Sequence, residues 1–110
     1  MTRTIRGLAA MALVLGTAVS ASAAAQKTVT DLKAAYLGET TASAKYAVYA
    51  KKAEAEGYKA PAALFRAASS AEKIHAANHK AALAKLGVKS VKAGAFTKPA
   101  GTTADNLKDA

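Results

Sequence analysis

Three side chains in this sequence have the types and the spacing to bind a metal: Glu39 in Gly-Glu-Thr, and Glu72 with His75 in Ala-Glu-Lys-Ile-His. Each falls on the otherwise apolar seam of a long helical pattern. A carboxylate withdrawn from water is costly unless an opposite charge compensates it, and a metal ion does so with few partners. A Glu-x-x-His step on one helix, faced by a Glu from another, is how carboxylate-bridged metal pairs are held inside four-helix bundles. Carboxylate oxygens and imidazole nitrogens suit ferrous and ferric iron; manganese or zinc could occupy the same ligands.

Two helices must position these groups. Thr30 or Asp31 is placed to cap a helix beginning at Leu32, with Asp31 complementing the positive helix end. The helical pattern runs to Gly57, a suitable stop residue. Pro61 fits the first turn of a second helix that continues to Leu86 and stops at Gly87. The link Gly57-Tyr58-Lys59-Ala60 is short, which makes the two helices antiparallel neighbours. Each would span about 26 residues, or about 39 Å, a length that suits a bundle.

Seam positions in the first helix read Leu32, Tyr36, Glu39, Ala42 or Ser43, Tyr46, Tyr49 or Ala50, and Ala53. In the second they read Phe65, Ala68, Glu72, His75, His79, Ala82 and Leu86. Glu39 lies 18 residues before Gly57 and His75 lies 18 after it, with Glu72 one turn nearer the link. In an antiparallel hairpin the three side chains therefore reach one level to within a turn, ~5.4 Å. The plainer alternative makes Glu39 an acid tolerated at a seam edge and Glu72–His75 a surface contact across one turn; the shared level favours the metal. His79, one turn beyond His75, reads as a bland seam residue first and a ligand second. Tyr36, Tyr46 and Tyr49 read chiefly as core aromatics whose hydroxyls need partners.

Residues 1–25 have the form of a secretory signal peptide: Arg3 and Arg6, a short apolar core over Gly7 to Gly16, then small-residue cleavage motifs ending at Ala23 and Ala25. That implies a periplasmic or secreted protein with no stable membrane anchor after cleavage. About 85 residues remain, one small domain rich in alanine. With no cysteine there is neither a lipid-anchor site nor a disulfide, so a domain this small needs a metal, a partner chain or both. The formal net charge of +9 comes largely from scattered lysines. Export, a single arginine beyond the signal peptide and the lack of a compact basic motif argue against nucleic acid; the lysines read as a solvated helix face. After the hairpin (residues 26–87), residues 88–110 read as a Pro- and Gly-marked linker followed by the start of an incomplete third helix, whose Thr-Thr-Ala-Asp-Asn-Leu-Lys echoes Thr28 to Ala34.

Taken together, Gly38-Glu39-Thr40, Tyr46, Lys51 to Tyr58, Leu64 to Ala68 and Ala71 to Ala76 resemble the rubrerythrin family of ferritin-like di-iron proteins, from Asp31 to about Leu86. The resemblance implies an all-α fold, a long antiparallel hairpin forming half of a ferritin-like four-helix bundle. It implies Glu39 as a terminal carboxylate ligand, Glu72 as a bridging carboxylate, His75 as the imidazole ligand, and Tyr46 as the tyrosine that packs beside the iron centre. Glu39, Glu72 and Tyr46 would be the catalytic set; Glu39, Glu72 and His75 would bind the metal.

Such proteins usually carry two hairpins in one chain and often a cysteine-rich rubredoxin-like domain; this chain has one hairpin and no cysteine. One chain offers three ligands, too few for two irons, whereas two chains related by a two-fold axis offer four Glu and two His. The expectation is thus a homodimer sharing a di-iron centre. It would reduce peroxide or oxidise ferrous iron in oxidative-stress defence, with an external electron donor. Two alternatives stand beside it: a truncated, inactive half of a rubrerythrin-like protein, and a secreted cationic helical protein acting at membrane surfaces. The second predicts an uninterrupted apolar stripe, which Glu39, Glu72 and His75 break.

Overall fold

The computed structural model describes residues 8–110, with side chains described from Ser22 onward. It is all-helical: α1 (Leu8–Ala55), α2 (Lys59–Lys85) and a short α3 (Thr103–Asp109), with no strand among the described residues. Helices α1 and α2 form the expected antiparallel hairpin. Arg3 and Arg6, the basic end of the expected signal peptide, lie outside the described residues. Among those described, no helix is long and apolar enough to cross a membrane.

The stops fall where the glycines place them. Gly57 and Gly87 adopt positive φ angles of 82° and 84°. After α1, the Tyr58 N–H donates to the Ala53 carbonyl (2.8 Å) and Gly57 N–H to Glu54 (3.0 Å). After α2, the N–H of Val88 donates to Leu83 (3.0 Å) and that of Gly87 to Ala84 (3.0 Å). Both ends are Schellman motifs, in which the left-handed residue turns the chain back to satisfy the last carbonyls. Pro61 sits in the first turn of α2, where its missing N–H costs no helical bond.

The expected start at Leu32 is not observed, because α1 runs unbroken through Thr30 and Asp31. Neither caps anything: Thr30 Oγ1 donates back to the Gln26 carbonyl (3.0 Å), and Asp31 pairs with Lys27 one turn earlier (2.6 Å). The alanine-rich stretch before them has the intrinsic propensity to continue the helix, so the cap residues are absorbed into it.

The packed line on α1 is the predicted one, with both open positions settled: Ser43 rather than Ala42 faces α2, and Tyr49 and Ala50 are both buried. On α2 the line differs. It runs Ala62, Phe65, Ser69, Glu72, Ala76, His79 and Leu83, at alternating steps of three and four. The predicted seam is rotated from this by roughly 50°, about half the 100° turn that one residue makes. As a result Ala68, His75, Ala82 and Leu86 lie on its flank. Small residues bring the helices close. Ser43 Oγ donates to the Ser69 carbonyl (3.0 Å) and Ser69 Oγ to the Ser43 carbonyl (2.9 Å), so the buried hydroxyls are mutually satisfied. Toward the turn, Phe65 is buried against Tyr49, Ala50, Ala53 and Ala62.

Residues 88–110 return along the outer face of α1. Gly94 N–H donates to Thr40 Oγ1 (2.7 Å), and Phe96 packs edge-on to Tyr49 with ring centroids 5.8 Å apart. Helix α3 is short: Thr102 caps it by accepting from Asp105 N–H (3.1 Å), and Glu56 accepts from Thr103 N–H (2.9 Å) at its positive end. At its other end Asp109 pairs with Lys45 (3.3 Å) and accepts a short hydrogen bond from the Tyr49 hydroxyl.

Candidate metal centre

The antiparallel register sets Glu39 of α1 against Glu72 of α2, one turn beyond the Ser43–Ser69 contact. His75 follows Glu72 by one turn and leans back to it, Nδ1 lying 3.2 Å from Glu72 Oε2 and 3.9 Å from Glu39 Oε2. Glu39, Glu72 and His75 each present one donor atom, and the three atoms all lie within 4.8 Å of one another. The two carboxylates are about three-quarters covered, at 27% and 22% exposed, whereas His75 is 55% exposed. The site is therefore half sunk in the hairpin and open on the flank that carries His75.

The carboxyls perturb each other. Glu39 is pushed above the usual carboxylate range, first by its hydrogen bond with Glu72, then by burial and the Glu72 charge, while His75 and His79 pull the other way. Glu72 is held below that range chiefly by the hydrogen bond from Glu39, with His75 adding to the effect against the cost of burial. Of the two carboxyls, Glu39 therefore keeps its proton to the higher pH. Two carboxylates and an imidazole converging from two helices fit a hard or borderline cation, which would take the place of that proton.

His79 is also drawn in. It lies on the packed line of α2, 29% exposed, with Nε2 3.7 Å from Glu39 Oε1. It was expected first as a bland seam residue and second as a ligand, and it stands outside the three donors that converge within 4.8 Å. The signal available in the sequence was the unbroken three-four pattern through Ser69, Glu72, Ala76, His79 and Leu83.

Tyr46 stands two turns from Glu39 and stacks on Phe65, ring centroids 6.3 Å apart at 18°. Among the described residues no hydrogen bond joins its hydroxyl to either carboxylate, and its contacts there are those of a core aromatic.

The two flanks of the hairpin differ. On the His75 side of α2, helical spacing aligns Leu64, Ala68, Ala71, His75, Ala82 and Leu86, with Leu64 59% and Leu86 46% exposed. The opposite side carries Arg66, Lys73 and Lys80, which border shallow open grooves floored by alanine and serine.

Comparison with known proteins bears on the same stretch of chain. The rubrerythrin family model matches residues 31–110. Nigerythrin of Nitratidesulfovibrio vulgaris is 46% identical over 59 residues, which cover 54% of this chain and 29% of nigerythrin. The chain thus spans less than a third of the length of that relative. No solved structure matches it.

Proposed function

The chain belongs to the rubrerythrin family, and from that premise we propose that it is an exported iron protein whose metal is held by Glu39, Glu72 and His75 and shared between two copies. The observation that carries this reading is the convergence of those three donors within 4.8 Å. Bound there, an iron pair would supply the electrons that reduce peroxide to water, or would take them from further ferrous iron, in oxidative-stress defence. Glu72, the more acidic carboxyl, would serve as the bridging ligand, with Glu39 and His75 as terminal ligands. Glu39 is the carboxyl that would give up its proton, where it still holds one, when metal enters. Peroxide reduction consumes two electrons and two protons, so repeated turnover needs an external donor.

Three ligands in one chain leave a pair of irons short of donors, and the open flank favours a second copy as the source. The row from Leu64 to Leu86 bears no charged side chain at its six positions and surrounds exposed His75. Burying Leu64, Leu86 and the intervening alanines against an identical hairpin removes apolar area from water and closes the site. On the opposite flank Arg66 pairs with Glu54, while Lys73 and Lys80 would repel their own copies. Export is supported by residues 1–25 and by the packing of α1: residues 22–28 are exposed throughout, and partial burial begins only at Val29. Cleavage after Ala25 would leave the packed hairpin intact.

The test is an anaerobic ferrous titration of the chain, reading iron per chain beside oligomer mass. One iron per chain in a dimer, with binding weakened at least ~100-fold in Glu72→Ala, is the expected result. A monomer that takes up no stoichiometric iron, or a Glu72→Ala variant that binds as well as the parent, would contradict it.

A further inference from the structure

We propose that His79 is a metal ligand of this chain, completing a four-donor set of two carboxylates and two imidazoles for one divalent cation. The inference rests on the reading of Glu39, Glu72 and His75 as ligands and extends it by one residue. Glu39 turns its two oxygens to different imidazoles: Oε2 lies 3.9 Å from His75 Nδ1, and Oε1 lies 3.7 Å from His79 Nε2. The second distance is too long for a hydrogen bond. Donors that share one zinc-sized ion at 2.0–2.1 Å lie ~3.3 Å apart in a tetrahedron, so the Glu39–His79 pair closes by a few tenths of an ångström, and the His79 ring must turn further to join the three donors that already converge. His79 has no competing salt bridge among the described residues, and it sits on the packed line of α2 facing Glu39.

The spacing supports the same assignment. Glu72, His75 and His79 follow at steps of three and four, so all three rise from neighbouring positions of one helix. Two histidines four apart on one helix form a two-point metal clamp, as in zinc-binding helices of the His-Glu-x-x-His type. Here Glu39 closes the clamp from α1. With His79 the donor set for one cation lies within a single chain, so a metal can be held before any partner docks. Two imidazoles beside two carboxylates also widen the range of acceptable cations toward zinc.

The experiment uses zinc, which is redox-inert, on the metal-free full chain, with affinity read by competition against a chromophoric chelator. His79→Gln should weaken zinc binding at least tenfold, as His75→Gln does, with unchanged helicity of the metal-free variant. In the parent chain, one equivalent of zinc should shift the ring-nitrogen resonances of both histidines, a readout that needs no variant. Zinc affinity of His79→Gln within twofold of the parent, with only the His75 ring shifting, would overturn the assignment while leaving the three-ligand site standing. If Glu72→Gln and His75→Gln also bound zinc like the parent, the three-ligand reading itself would fall, and the role of His79 with it.

Discussion

Glu39 and Glu72 meet across the hairpin, Glu39 raised above the usual carboxylate range and Glu72 held below it, each chiefly through its hydrogen bond to the other. Where Glu39 is still protonated, a cation entering the site must expel that proton. Metal uptake is therefore expected to release it, and affinity should fall about tenfold per pH unit once the pH drops below the raised pKa of Glu39. Calorimetric zinc titrations in buffers of different ionisation enthalpy, repeated from pH 7.5 downward, check both the proton count and the slope.

The same pair sets the stability of the metal-free chain. The folded pKa of Glu39 is raised, so its contribution is present below the ordinary carboxylate value of 4.5 and is lost as pH rises through the folded value. Glu72 behaves oppositely: its contribution is present above 4.5 and is lost as pH falls through its depressed folded value. Above the folded value of Glu39 the metal-free site holds two facing carboxylates. Glu39→Gln should raise the melting temperature of the metal-free chain at pH 7 and lower that of the metal-loaded chain. Circular-dichroism melts with and without metal read this reversal of sign.

The hairpin and the meeting of Glu39, Glu72 and His75 were legible in the sequence because glycine stops, Pro61 and helical spacing are local signals. The start of α1 was not, since a Thr-Asp pair has the same composition whether it caps a helix or bonds back within one. The phase of α2 was ambiguous for a related reason: Glu72 to His75 and Glu72 to Ala76 are both permitted steps. The choice is made by Ser69 and Ala76, whose small side chains let α1 approach, and by Leu83, which fills the end of the line. The return of residues 88–110 depends on contacts with α1 through Gly94 and Phe96, which no local pattern announces.

That return depends on the missing side chain of Gly94. A Cβ there would fall on Thr41 Oγ1 and lie 2.5 Å from the Leu37 carbonyl oxygen. Gly94→Ala should detach this part of the segment at a cost of about 1–3 kcal/mol. Loss of hydrogen-exchange protection at residue 94 and faster proteolysis within residues 88–101, with the α1–α2 hairpin retained, is the expected outcome.

At the end of α3, Asp109 sets the ionisation of Tyr49. The hydrogen bond to Asp109, then burial and the Asp109 charge, push the Tyr49 phenol up to about 12 from its ordinary 10.0. Since the folded value is the higher, this contribution to stability is present below pH 10 and is lost as pH rises through about 12. Asp109→Asn should bring the Tyr49 titration down toward the ordinary phenol range. Ultraviolet absorbance against pH in the two proteins measures the difference.

The central claim is the location of the iron, and anomalous diffraction at the iron edge from iron-loaded crystals tests it most directly. An anomalous peak within bonding distance of the Glu39, Glu72 and His75 donor atoms is the predicted result. Iron bound elsewhere on the chain, with those three side chains free of it, would contradict the account.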